Sequence, residues 1–200
     1  MKIIGVTGPS GSGKTVLTKY FNSIGVPTVD ADEVYHSMLV PPSECLDAIR
    51  ESFGNQVFLP DGGLDRTALG SVVFNDSEKL KLLNSTVLGM VLEKIRNMIA
   101  DFDRKDCSAV IIDAPTLIES GFNDECDVVV SVIAPMEDRI ARISQRDNIS
   151  EDKARERVTA QKNDEFYKSH SDFVIFNDTN ECDFLTKIKN LASEFEITAQ

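Results

Sequence analysis

Residues Gly8-Pro9-Ser10-Gly11-Ser12-Gly13-Lys14-Thr15 satisfy the pattern G-x-x-x-x-G-K-[ST] at every fixed position. That spacing suits triphosphate oxygens. Successive backbone N–H groups can close around an anion only where little side chain intervenes, and the three glycines of this stretch provide that room. A helix starting directly after the loop adds unpaired donors and the positive end of its dipole. Lys14 then reaches the β- and γ-phosphates, and the Thr15 hydroxyl binds Mg²⁺. Gly11, Ser12, Gly13, Lys14, Thr15 and Val16 are therefore the candidate nucleotide-binding residues.

Three further groups of residues have types suited to the same chemistry. Asp30-Ala31-Asp32 ends an apolar run, and carboxylates at the carboxyl end of a strand face the ligand edge of an open parallel sheet. One of the two aspartates can instead cap the helix that begins near Glu33, and both roles fit side by side. Asp113 closes another apolar run, where an acid in phosphate-loop proteins meets Mg²⁺ directly or through water. Its neighbour is Ala114, not the glutamate that activates water in hydrolytic ATPases. Between Arg139 and Lys162 stand seven of the 21 basic residues, against four acids. A solvated helix could look the same. In so acidic a chain the concentration reads better as a lid whose arginines neutralise γ-phosphate oxygens, with Arg142 and Arg146 placed for it.

Elements of a familiar kind are needed to position these groups. Lys2–Thr7 reads as a buried strand before the loop, and Val16, Leu17, Tyr20 and Phe21 recur at helical spacing after it. Those flanks set the loop apart from an incidental Gly/Ser-rich turn. Further strands are expected before Asp30, over 108–113, over 127–132 and over 173–176, with helices over 136–146 and 185–195. From 33 to about 105 the pattern is helical, including a long helix over 78–99 with Leu82, Leu83, Val87, Met90, Val91, Ile95 and Met98 on one face. This stretch is too long for a simple crossover. It reads as an insertion that forms an acceptor pocket, the plainer alternative being a structural helical layer.

The fold class predicted is α/β, a three-layer phosphate-loop nucleoside triphosphate hydrolase type with a five-stranded parallel sheet. The core would take 1–32, 106–140 and 170–200, the insertion about 33–105 and the lid about 141–165.

A net charge of -12 argues against a nucleic-acid partner, since polynucleotide phosphates would be repelled. Cys45, Cys107, Cys126 and Cys182 have no C-x-x-C spacing and read as free thiols. No signal segment or membrane-length apolar run is evident, which points to a soluble, cytoplasmic chain with no membrane partner. Self-association is left open.

With these pieces in place the chain resembles the dephospho-coenzyme A kinase family over nearly its whole length. The likeness rests on Thr7-Gly8 with Gly11–Thr15, Asp30-Ala31-Asp32, Phe53-Gly54, Asp61-Gly62, Leu64-Asp65-Arg66 with Leu69 and Phe74, and Leu83-Asn84. It continues through Asp113-Ala114-Pro115, Leu117-Ile118-Glu119, Arg142, Gln145-Arg146-Asp147, Arg157 with Gln161, and Asp172, Ile175 and Asn177. The resemblance implies transfer of the ATP γ-phosphate to the ribose 3′-hydroxyl of dephospho-coenzyme A, the last step of coenzyme A synthesis, with Mg²⁺. It also implies that Asp32 receives the hydroxyl proton, with Lys14 and Arg142 as its catalytic companions and Asp30 in support.

Where the family usually shows a His-Pro pair in the long helix, this chain has Leu88-Gly89. The ATP site is untouched by that difference; the grip on the acceptor is not. Two other readings share the loop, sheet and lid: a kinase of another small hydroxyl or nucleoside monophosphate acceptor, and a nucleotide-binding module without phosphotransfer. A guanine-reading Asn-Lys-x-Asp segment is not matched by Gln161-Lys162-Asn163-Asp164.

Overall fold

Val6, Val110, Ile111, Ile112, Val130 and Val132 are fully withdrawn from solvent, as strands are when both faces of a parallel sheet are covered. They belong to a computed structural model that describes residues 1–74 and 76–197. The chain runs β1 (Lys2–Thr7), α1 (Lys14–Ser23), β2 (Thr28–Asp30), α2 (Ala31–Met38), α3 (Glu44–Phe53), α4 (Arg66–Val73) and α5 (Ser77–Asp103). It continues with β3 (Ala109–Asp113), β4 (Val128–Ile133), α6 (Met136–Asp147), α7 (Glu151–Thr159), α8 (Asp164–Ser169), β5 (Phe173–Phe176) and α9 (Glu181–Glu194). The expected five-stranded parallel sheet is present, in the order β2-β3-β1-β4-β5.

Two compact units emerge, Met1–Val29 with Phe102–Gln200, and Asp30–Asp101. In the first, Leu17 and Phe21 of α1 and Phe184, Ile188 and Leu191 of α9 pack with Ile4, Val6, Ile111, Val130 and Val132. Alternate residues of a strand face opposite sides, so Gly5 looks away from that cluster. A Cβ there would lie 2.6 Å from Leu117 Cδ2 and 2.8 Å from Cys126 Sγ, and the segment after β3 closes down on bare backbone. Cys126 is a packing residue: burial, followed by the neighbouring Asp127 and Glu125, pushes its thiol up to about 12, where thiolate chemistry is shut off. All four cysteines are free.

In the second unit, side-chain caps start each of the first three helices. Asp30 accepts from the N–H groups of Asp32 and Glu33, Ser43 from those of Cys45 and Leu46, and Asp65 from those of Thr67 and Ala68. Leu46, Ile49, Phe53, Val57, Leu69 and Val73 are buried. The Asp61-Gly62-Gly63 turn is closed by an isolated bridge between Phe58 and Leu64.

α5 is longer than its apolar pattern suggests, and its buried edge is narrower. Val87, Val91 and Ile95 are buried, whereas Leu82 is 44% exposed and does not belong to the inner face. Leu88 is also exposed, and a Cβ built on Gly89 would meet nothing within 4 Å. A helical glycine with open space around it costs stability through its unfolded-state freedom. Gly89→Ala is therefore expected to stabilise the protein by about 0.5–1 kcal/mol, read as a higher midpoint in urea or thermal unfolding. An unchanged or lower midpoint would show that the backbone at this position is not ordinary helix. Among the described residues no helix is long and apolar enough to cross a membrane.

Candidate active site

β1 delivers the chain to Gly8 at the carboxyl edge of the sheet, and α1 begins again at Lys14. The intervening loop takes positive φ at Gly8, Gly11 and Gly13. At Gly8 a Cβ would run into the backbone carbonyl of Val132, and at Gly13 into the carboxamide of Asn177. Conformation and crowding both demand glycine there.

The start of α1 differs from the other helices. α2, α3, α4, α7, α8 and α9 are each capped by a side chain, while α5 and α6 carry acids in their first turn. α1 has neither, among the described residues: its cap is Gly13 and its first turn holds no acid. With no capping side chain and no first-turn acid, the positive end of the helix dipole faces the loop. Lys14 Nζ donates to Gly8 O at 2.7 Å and Pro9 O at 3.3 Å, which lays the ammonium across the loop. Thr15, in the same first turn, is exposed. Val6 and Asp113 are partners in the β1/β3 ladder, so this carboxylate stands at the edge from which the loop departs.

Asp30 and Asp32, whose capping role residue type alone left open, have separate positions in the second unit. Asp30 Oδ1 takes the N–H groups of Asp32 and Glu33 at 2.9 and 3.0 Å. Its capping role is filled. Asp32 lies in the first turn of α2 with its side chain in solvent.

The basic segment is distributed less uniformly than its sequence suggests. Arg142 donates to Gly11 O at 3.1 Å and lies 3.9 Å from Asp138, so its charge stands against the loop. Arg146 and Arg157 both reach Asp147, at 2.7 and 2.6 Å, and the Arg146 hydrogen bonds hold the Asp147 carboxyl below the usual carboxylate range. Arg155 forks onto Glu137. Ile140 and Ile143 of α6 pack with Ala154 and Val158 of α7, so position 141 falls inside an unbroken, packed helix.

Two residues that motif reading did not single out as site residues hold the loop from outside. Asn177 Nδ2 donates to Ser12 O at 2.8 Å while its own N–H reaches Ile133 O at 2.7 Å, and the residue is buried. Gln161 Oε1 accepts the Ser10 N–H at 3.0 Å. Ser12 is fully buried beneath the loop, its Oγ without a hydrogen-bond partner. Both braces arrive from distant chain positions, and the sequence offered them only as members of the family resemblance, with no role attached.

The family model for dephospho-CoA kinase matches residues 2–183. A dephospho-CoA kinase of Dehalococcoides mccartyi is 33% identical over 194 residues, covering 97% of this chain and 98% of its own. Among solved structures, one from Thermus thermophilus superposes with a TM-score of 0.80 at 28% identity, covering 96% of this chain and 97% of that one. Dephospho-CoA kinase from Campylobacter jejuni superposes with a TM-score of 0.73 at 26% identity, covering 98% of each.

Proposed function

The chain belongs to the dephospho-CoA kinase family, and from that premise we propose how its own residues share the transfer. It is an enzyme that moves the γ-phosphate of ATP to the ribose 3′-hydroxyl of dephospho-coenzyme A, giving coenzyme A and ADP, the final step of coenzyme A biosynthesis. In our reading the loop amides from Gly11 to Val16 hold the β- and γ-phosphates. Lys14 spans loop and phosphate, in keeping with its contact to Gly8 O at 2.7 Å. Arg142, already against Gly11, and Arg146, once exchanged from Asp147, offset the negative charge that spreads over the moving phosphoryl group.

Thr15 and Asp113 offer a hydroxyl and a carboxylate near the loop, hard oxygen donors of the kind Mg²⁺ takes alongside substrate phosphates and water. When bound, Mg²⁺ would neutralise charge on the β- and γ-oxygens. No group of three or more His, Cys, Asp or Glu among the described residues could cage a metal, and a phosphate-dependent Mg²⁺ site requires none.

The unit Asp30–Asp101 takes the acceptor in this proposal, with Asp32 orienting the 3′-hydroxyl and accepting its proton late in a loose transition state. Segment 141–165 serves as the lid, and the cytoplasm is where we place the reaction. The observation that carries the assignment is the uncapped, acid-free start of α1 under its three-glycine loop, in a chain matched by its family over 2–183.

A coupled ADP-release assay tests it, with dephospho-coenzyme A, adenosine, nucleoside monophosphates and shikimate offered in turn. Dephospho-coenzyme A is expected to give a kcat/KM at least about a hundredfold above every other acceptor, because a site that pairs buried polar groups with one substrate rejects analogues that leave them unpaired. A higher value for any other acceptor would transfer the assignment to that substrate.

A further inference from the structure

We propose that Gln161 is a positioning residue for phosphoryl transfer, pinning Ser10 so that the phosphate loop is shaped before ATP arrives. The proposal rests on the kinase reading of the site. Ser10 is the one residue between Gly8 and Gly11 with a polar side chain, and all of its polar groups are engaged. Its N–H donates to Gln161 Oε1 at 3.0 Å, and its Oγ accepts from Gln161 Nε2 at 2.8 Å. Its carbonyl accepts from Arg139 Nε at 3.0 Å, and Arg139 Nη2 returns to the same Gln161 Oε1 at 2.9 Å. These four bonds form a closed ring through three residues.

Arg139 is 5% exposed, and burial lowers its guanidinium pKa, though an arginine in a protein keeps its charge. Its backbone also touches the loop, since a Cβ on Gly11 would lie 2.8 Å from Arg139 O. α6 therefore presses on Gly11 while Gln161, beyond α7, grips Ser10. A three-glycine loop loses much conformational freedom on ordering. Fixing the Ser10 side chain from outside moves part of that loss from the binding step to folding. It also aims the loop amides where charge develops in the transition state.

A purely structural bond would register in stability alone; a positioning bond registers in the ATP parameters. The test uses Gln161→Ala, Gln161→Glu and Ser10→Ala in the full chain. Each is measured for Tm, for ATP binding by calorimetry, and for kcat and the KM of each substrate. Gln161→Ala is expected to lower kcat/KM for ATP roughly tenfold and leave the acceptor KM unchanged. Gln161→Glu should recover part of the loss, because its Oε1 still accepts from Ser10 and Arg139. Ser10→Ala should cost less alone and add little to Gln161→Ala, a non-additivity that marks direct coupling.

A lower Tm with wild-type ATP parameters overturns the proposal, as does strict additivity. If Gln161→Ala does not fold, Gln161→Glu combined with Ser10→Ala reads the same contact by the same criteria. Calorimetry needs no acceptor, so a wild-type enzyme that turned over a different acceptor would sink the dephospho-coenzyme A assignment while the ATP arm still judged the ring.

Discussion

Asp32→Asn is expected to cut kcat by about a hundredfold or more, the scale of losing a positioned general base, with ATP affinity nearly intact. The substitution is nearly isosteric and lies in solvent in the first turn of α2. Because Asp30 holds the cap through the N–H groups of residues 32 and 33, the variant keeps the hydrogen bonds that start the helix. Losing one first-turn charge removes only about 0.5 kcal/mol of dipole interaction, so a fall in rate cannot be ascribed to unfolding. An amide can still orient an alcohol through a hydrogen bond, but it cannot take its proton. Steady-state turnover with ATP titrated by calorimetry gives the answer. Near-normal kcat would remove Asp32 from the mechanism and leave the acidic pair a purely structural role.

Lys14→Ala should damage binding and chemistry together: roughly a hundredfold to a thousandfold lower kcat/KM for ATP, the scale of deleting one preorganised donor at a site of developing charge. The loss has two physical parts. The ammonium no longer meets the phosphates, and the carbonyls of Gly8 and Pro9, now bridged by Nζ at 2.7 and 3.3 Å, lose their partner. Lys14→Arg does not substitute for it, because a planar fork presents its donors in a geometry different from a compact ammonium. ATP calorimetry with single-turnover rates separates the two parts. If affinity and rate both survived the alanine substitution, Gly8–Thr15 would be a turn and nothing more.

Where side-chain chemistry repeats locally, the sequence was readable. Strands came from apolar runs bounded by turn residues, and the loop from fixed spacing within eight positions. α9 begins at Glu181, four residues before its apolar pattern, because Asn180 caps it and Glu181 and Asp183 suit its first turn. Those signals were present and unused. Residue type alone left open which of Asp30 and Asp32 caps the helix; the resemblance gave the base to Asp32, and in the structure Asp30 Oδ1 takes the N–H groups of residues 32 and 33.

Gln161 and Asn177 were legible as members of the family resemblance, but their bracing of the loop was out of reach for a different reason. Gln161 meets Ser10 across 151 positions and Asn177 meets Ser12 across 165, and a polar amide far along the chain looks like any surface residue until the fold brings it home. Arg139 was visible only as one member of a basic run, yet it is the buried one.

Gly8 lies against Val132, Gly11 against Arg139 and Gly13 against Asn177, so the order of biosynthesis runs opposite to the order of need. A ribosome writes Gly8–Thr15 more than a hundred residues before Val132, Arg139 and Asn177, the positions that mould the loop. The loop's shape therefore waits on chain translated long after the signature itself.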